Sequence, residues 1–193
     1  MINGESGDVV DRYPVGKRPR GLRLAPDGAH LFVALSGSPI AGPGVDESKL
    51  PPGDRSADGI GVLDLATGRL LRKLKSGQDP ETFDFSPDGG TLYVSNEETA
   101  EMSIVDTGSG EVRSRVKVGE EPEGVTVRPG GREVYVTCEN DAEVFVVDTA
   151  SGRVVARLKV GLRPRAVAFT KDGGTAFVSN ENEASVSVID AVK

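Results

Sequence analysis

Short apolar runs recur along the chain at a nearly constant spacing, and each is preceded by a proline and a tight turn. The repeated segments read RPRGLRLAPDG, DPETFDFSPDG, EPEGVTVRPGG and RPRAVAFTKDG. Their leading prolines are 61, 42 and 42 residues apart and are Pro19, Pro80, Pro122 and Pro164. No window of about 11 residues has the apolar period of a helix. The pattern therefore predicts an all-β chain built from four copies of one unit.

Each copy predicts four strands. The first follows the proline and ends at an Asp-Gly type turn, as in residues 166–170. The second is a β-branched and aromatic run such as residues 92–94, and the third alternates towards an aspartate, as in residues 186–190. The fourth, exemplified by residues 153–160, alternates polar and apolar residues and suits a solvated edge. A repeated four-stranded unit of about 42 residues is typical of a β-propeller blade.

We predict that residues 1–193 form a single β-propeller domain. The blades span residues 19–77, 80–119, 122–161 and 164–190. The first has 19 extra residues, which fall within a loop insertion at 36–58 rich in Gly and Pro, with Ile40, Val45 and Leu50 as apolar anchors. The last blade lacks its fourth strand. Residues 7–16 have the glycine spacing of the fourth strands elsewhere, so we predict that this N-terminal strand completes blade 4.

The segment VGEEPEGVTVRPGGREVYVTCENDAEVFVVDTASGRVVARLKVG resembles the YVTN-type β-propeller repeat family of bacterial surface-layer and extracytoplasmic proteins. The resemblance covers nearly all of residues 7–190 and implies a propeller fold, with a periplasmic or secreted location. It says little about activity, because function is set by sites grafted on a fold. Relatives of this kind usually close with seven or eight blades, and this chain supplies four. Three arrangements are open: a fragment of a longer propeller, a homodimer closing an eight-bladed ring, and a compact four-bladed ring.

Charge and composition exclude several classes of protein. The chain has a net charge of −7, which disfavours a nucleic-acid partner held through phosphate contacts. No apolar run reaches the ~18 residues of a membrane span, and the first fifteen residues lack the pattern of a signal peptide. A single thiol, Cys138, provides no internal disulfide, Cys-rich zinc site or c-type haem attachment. We expect no cofactor.

Charged residues flank every leading proline on the face where the first strands begin. By resemblance to other propellers this face is the ligand side. The candidate ligand- or partner-binding residues are Arg18, Arg20, Asp79, Glu81, Glu121, Glu123, Arg163 and Arg165. If blades 4 and 1 are neighbours, they form a basic half of the channel mouth opposite an acidic half. These charges either keep the surface soluble or bind a dipolar ligand or another subunit. The insertion loop should emerge on the same face.

Other candidates favour structural roles. The acidic turns after the second strands, at residues 97–98, 139–141 and 181–183, match no calcium loop and are expected to be solvated, and we predict no metal site. Four aspartates recur once per blade beside turns and should cap them: Asp64, Asp106, Asp148 and Asp190. The aromatic positions Phe32, Tyr93, Tyr135 and Phe177 should fill the core between blades.

The sequence offers few groups of residues that could form a catalytic site. His30 is the only histidine and is expected on the opposite face, so neither a Ser-His-Asp triad nor a multi-histidine metal site can form. Cys138 takes the position of Asn96 and Asn180 in sister blades and is predicted to be a partly buried small residue. We therefore predict no catalytic residue and a non-enzymatic binding scaffold, whose partner is an unknown small molecule or protein at the channel face. Two alternatives are a lactonase-like or dehydrogenase-associated propeller enzyme or accessory domain, and a purely structural surface-layer repeat.

Overall fold

Strands dominate the computed structural model, which describes residues 2–40, 46 and 49–192. Blade 1 contains β1 (Pro19–Leu24), β2 (His30–Leu35), β3 (Gly59–Asp64) and β4 (Arg69–Leu74). Blade 2 contains β5 (Pro80–Phe85), β6 (Thr91–Asn96), β7 (Glu101–Asp106) and β8 (Val112–Lys117). Blade 3 contains β9 (Pro122–Val127), β10 (Glu133–Cys138), β11 (Glu143–Asp148) and β12 (Arg153–Lys159). Blade 4 contains β13 (Pro164–Phe169), β14 (Thr175–Asn180) and β15 (Ser185–Asp190).

Each blade is an antiparallel sheet in which sequential strands are neighbours, and the blades follow one another as in a propeller. The first strands pack in sequence, β1 on β5, β5 on β9 and β9 on β13. The prediction of an all-β propeller with four-stranded antiparallel blades is confirmed for blades 1 to 3, whereas blade 4 has three strands in the described part of the chain. The only helices described there are short 3-10 turns such as Glu97–Thr99, and none is long or apolar enough to cross a membrane.

Local chemistry explains the turns. In blade 2 the Oδ1 atom of Asp88 accepts hydrogen bonds from Ser86 and from the backbone N–H of Gly90, and Gly89 adopts the left-handed φ of +72° that this turn requires. The predicted aspartate caps are confirmed as well. Asp106 accepts a hydrogen bond of 2.7 Å from the backbone N–H of Ser109, and the same arrangement recurs at Asp64 and Asp148. Asp190 accepts instead from the backbone N–H of Val192, two residues further on.

The hydrophobic core lies between the blades. Its three clusters each join residues of two consecutive blades, because facing sheets bury their apolar side chains against each other. The aromatic positions Phe32, Tyr93 and Tyr135 are buried in these interfaces, as predicted. Tyr135 meets Phe169 of the next blade edge to face, with the ring centroids 4.8 Å apart.

The two outward faces of the arc carry apolar residues that have no neighbouring blade. Val186 is 59% exposed, whereas Val144 at the same position of blade 3 is fully buried. Phe177 is 40% exposed, so its predicted burial is wrong in this structure, where no described blade packs on that face of β14. At the other end Leu22 is 55% exposed, although Phe83 at the same position of blade 2 is buried. The chain therefore forms an open arc, and the compact four-bladed ring is not its arrangement.

Residues 7–16 do not pair with β15 in this structure. Blade 4 ends at β15, and the N-terminal segment makes an isolated bridge between Ile2 and Val9. The segment runs beside blade 1 instead. The Tyr13 ring packs against Gly68, in the turn between β3 and β4, so closely that a β-carbon at residue 68 would lie 2.4 Å from the ring. The predicted completion of blade 4 is thus not made among the described residues of one chain, where no strand pairs with the outer edge of β15.

Candidate functional site at the channel mouth

One backbone frame, repeated in each blade, builds the channel mouth. The residue before each leading proline has a left-handed backbone, with φ of 54° at Asp79 and 49° at Glu121. The carbonyl of this residue accepts a hydrogen bond from the first backbone N–H after the second strand, as from Glu97 to Asp79 at 3.0 Å. A register shift of β-bulge type follows the proline, for example between Pro80 and Phe83. The frame therefore gathers three side chains per blade: one before the proline, one after it and one after the second strand.

All eight predicted site residues lie on this face, but their order differs from the expected one. Blades 4 and 1 are at opposite ends of the arc, so the arginines of these blades do not form one basic half. The charges run basic, acidic, acidic, basic from blade 1 to blade 4. Each arginine pair consequently faces an acidic neighbour, and most of the charges are neutralised in ion pairs across the blade boundaries.

Two arginines join blade 1 to blade 2. The Arg18 guanidinium lies 3.7 Å from Asp79, and Arg20 forms an ion pair with Glu81 and reaches within 4.0 Å of Glu97. Glu81 is deeply buried, with 3% of its side chain exposed. Ser36 also donates a hydrogen bond to Asp79, and Ser36 takes in blade 1 the position that Glu97 takes in blade 2.

Two further arginines join blade 4 to blade 3. Arg165 contacts Glu123 at 2.7 Å and also pairs with Glu139, while Arg163 lies 2.6 Å from Glu139. Glu181 of blade 4 completes the cluster, at 3.1 Å from Arg165. Every carboxylate of this cluster has a guanidinium within ion-pair distance.

Three of these carboxylates were not among the predicted site residues. The expectation that the acidic turns are simply solvated is wrong for Glu139, which is 12% exposed, and for Glu97, which is 29% exposed. A glutamate directly follows the second strand in blades 2, 3 and 4, and this recurrence is the sequence signal that could have placed Glu97, Glu139 and Glu181 at the mouth.

Burial and crowding change the protonation of the central carboxylates. Burial raises the pKa of Glu81 and, together with the adjacent Glu81 and Asp79 carboxylates, raises the pKa of Glu97 to about 8. Burial also raises the pKa of Glu123 above its ordinary value. Arg20 and Arg165 oppose these effects without reversing them. In the middle of the mouth, the carboxylates therefore outnumber the positive charges and hydrogen-bond donors that could stabilise them.

The insertion loop does lie on the mouth face, as predicted. Loop residues 38–40, 50–53 and Arg55 border an open cleft of about 730 Å³. Across the cleft the wall is acidic and contains Asp79, Glu97, Glu98, Glu120 and Glu121. Arg55 of the loop forms an ion pair with Glu98, which holds the loop against blade 2. Ile40 is largely exposed, and Val45 lies outside the described residues.

The remaining candidates lie away from this cleft. Cys138 is completely buried, and burial raises the pKa of its thiol to about 12. His30 begins β2 at the end of the blade opposite to the mouth, where its Nδ1 lies 2.6 Å from Asp27. His30 is remote from the gathered charges, and Cys138, which directly precedes Glu139, is buried more fully than the predicted partial burial.

Comparison with known proteins supports the fold alone. No family model and no curated protein matches the chain. Among solved structures, a chain of Kuenenia stuttgartiensis hydrazine synthase superposes with a TM-score of 0.74 over 98% of this chain and 49% of that chain, at 24% identity. A functionally unknown protein from Desulfotomaculum acetoxidans DSM 771 matches with a TM-score of 0.64 and 12% identity, over 89% of this chain and 55% of that chain. This chain thus spans about half the length of both.

Proposed function

We propose that the chain is a non-enzymatic propeller scaffold whose mouth cleft binds a positively charged segment of a partner protein. The observation that carries the proposal is the acidic wall of the cleft. Arg18 and Arg55, which line it, are already paired with Asp79 and Glu98. Glu120 and Glu121 have no ion pair within the described part of the chain, so two carboxylates of the wall face the cleft with unneutralised charge.

The cleft has the physical properties of a binding surface. Rigid strands fix the acidic wall, while the opposite wall is a long loop, and such loops on rigid scaffolds commonly carry recognition. Complementary charge would steer a basic segment into the cleft and select it over acidic segments. A catalytic role finds less support, because the single histidine and the single thiol lie elsewhere.

Fluorescence anisotropy with a labelled decalysine peptide tests the binding proposal. We expect the double variant Glu120→Gln, Glu121→Gln to weaken binding by about tenfold, since two exposed charge contacts together contribute about 1.4 kcal/mol. The control Glu5→Gln, Asp8→Asn removes the same charge far from the cleft and should leave the affinity unchanged. Equal weakening by the two double variants would overturn the proposal, because it would show only a nonspecific attraction to an acidic protein.

A second proposal concerns assembly: two copies join into an eight-bladed ring. The exposed faces of blade 4 and blade 1 correspond to the two sides of an interface between consecutive blades. Val186 and Val188 of blade 4 occupy positions that are buried in blade 3, and Leu22 of blade 1 occupies the position of buried Phe83. Packing blade 4 of one copy on blade 1 of the other would bury both faces, and it would offer residues 7–16 to the free edge of the partner's β15.

Solution mass tests the assembly. The two-chain ring predicts twice the 20.2 kDa of the single chain by light scattering. Val188→Asp should return the mass to that of one chain, because an unpaired charge would be buried in the interface. The control Val155→Asp alters an equally exposed valine on the outer strand β12 and should leave the dimer intact. A wild-type mass of one chain at high protein concentration would overturn this proposal.

Family and location are proposals that rest on the repeat motif. The blade sequence supports membership of the YVTN-type family, and that resemblance implies a periplasmic or secreted protein. Fractionation of cells that produce the native gene product tests the location, with recovery in the cytoplasm as the contrary result.

A further inference from the structure

Three carboxylates of blade 2 converge at the bottom of the mouth. One oxygen from each of Asp79, Glu81 and Glu97 lies within 4.8 Å of the other two. The convergence is a product of the repeated backbone frame, in which the N–H of Glu97 donates to the carbonyl of Asp79. The backbone frame therefore places the three side chains at one end of the same blade.

A buried oxygen in this group has no hydrogen-bond donor. Glu81 is 3% exposed, and its Oε2 accepts from Arg20, but its Oε1 is buried without a hydrogen-bond partner. A buried carboxylate oxygen that lacks a donor costs free energy in the folded state. A positive ion at this point would remove that cost.

The geometry points to a site for a hard divalent cation, calcium in particular, coordinated by Asp79, Glu81 and Glu97. Calcium takes six to eight oxygen ligands, and carboxylates are the usual protein donors. Ser36 Oγ lies beside Asp79 and supplies a further neutral oxygen, while the partly exposed Glu97 leaves one side open to water. The three carboxylates lie on short segments at one end of a single blade, an arrangement unlike a twelve-residue calcium loop.

Neighbouring charges set the expected strength. Arg18 and Arg20 face the three carboxylates and offset two of their negative charges. Glu123 of blade 3 adds negative charge to the same region. We therefore expect a dissociation constant of about 0.1–1 mM, in the range of extracellular calcium modules.

Blade 3 provides a matched comparison. Glu121, Glu123 and Glu139 occupy the positions of Asp79, Glu81 and Glu97, but Arg165 pairs with both Glu123 and Glu139. No carboxylate oxygen of that trio is left buried without a partner among the described residues. Glu139→Gln is therefore a control for Glu97→Gln that makes the same chemical change in an equivalent strand-end turn.

Thermal unfolding of chelator-treated protein tests the inference, with about 10 mM calcium chloride compared with sodium chloride of equal ionic strength. We expect calcium to raise the Tm of the wild type and of Glu139→Gln by about 3–10 °C. Glu97→Gln and Glu81→Gln should lose that increase, and the second variant covers the case in which the first does not fold. No increase in the wild type, or one that persists in both variants, would overturn the inference.

The inference goes beyond the proposed function and fails separately from it. Loss of the calcium response would leave decalysine binding at Glu120 and Glu121 untouched, and loss of peptide binding would leave the calcium response intact. A different outcome would overturn the cation site: the Tm of the wild type does not change with calcium, and the Glu97→Gln variant has a higher Tm than the wild type. That result would instead indicate a proton shared between Glu81 and Glu97.

Discussion

Nη1 of Arg165 donates to Oε1 of Glu123 across the boundary between blades 3 and 4, at 2.7 Å. The same relationship joins Arg20 of blade 1 to Glu81 of blade 2, in the opposite chain direction. In both places a basic end blade reaches towards an acidic inner blade. The mouth is therefore a structural element as well as a charged surface, since its ion pairs add to the apolar contacts and hydrogen bonds that join the blades elsewhere.

Removing one member of this network should cost stability. Arg165→Gln leaves Glu123 and Glu139 largely buried without their shared guanidinium, so we expect the free energy of unfolding to fall by about 1–3 kcal/mol, reduced from the fully buried case by the partial exposure of Arg165. Urea unfolding measures the change. The exposed pair of Lys75 and Glu111 is the control, and Lys75→Gln should cost less than about 0.5 kcal/mol.

Equivalent valines should differ in their response to truncation. Val144→Ala creates a cavity in the core between blades 3 and 4 and should cost about 2 kcal/mol. Val186→Ala makes the same change on the exposed face of blade 4 and should cost little in the single chain. If two chains close a ring, the effect of Val186→Ala will instead depend on protein concentration, because its packing then belongs to the dimer. Unfolding at two concentrations distinguishes these outcomes.

The thiol of Cys138 should be unreactive in the folded protein. It is fully buried, and its pKa of about 12 leaves almost no thiolate at neutral pH. We expect Ellman's reagent to label the native chain only at the rate of unfolding and to label the urea-unfolded chain within minutes. Rapid labelling of the native chain would contradict the described packing of blade 3.

Acid should remove the contribution of the turn aspartates. Hydrogen bonds from Ser109, with the ion pair to Arg113, lower the pKa of Asp106 from 3.8 to about 2. A lowered carboxyl pKa stabilises the folded state above the unfolded value, and this contribution is lost as the pH falls from about 4 towards 2. The stability difference between the wild type and Asp106→Asn should therefore shrink over that window. Thermal unfolding at several pH values measures it, and a constant difference would contradict the assignment.

The sequence predicted whatever recurs in every blade. The turn aspartates and the buried aromatics Phe32, Tyr93 and Tyr135 repeat at fixed positions, and repetition identifies a shared backbone environment. The fold class followed from the same repeats. The position of the insertion loop also followed, because strand order determines the end of a blade at which each connection emerges.

The properties that depend on relations between blades could not be predicted in the same way. The open arc separates Arg18 and Arg163, which the sequence placed in one basic half, because ring closure is a matter of long-range packing. The role of Glu97 was missed for another reason, although the glutamate that recurs after the second strand is a signal for it. Its side chain is distant in sequence from Asp79 and Glu81, and only the backbone hydrogen bond between strand ends brings the three together.

The residues before the four leading prolines share a left-handed backbone whatever the charge of their side chains. Arg18, Asp79, Glu121 and Arg163 share one backbone conformation, although two are cationic and two are anionic. The backbone conformation at these four positions therefore does not depend on whether the side chain is positively or negatively charged. Substitutions at these positions, natural or engineered, can therefore change the charges around the channel mouth one residue at a time. Such changes would alter what the mouth binds while the fold stays the same.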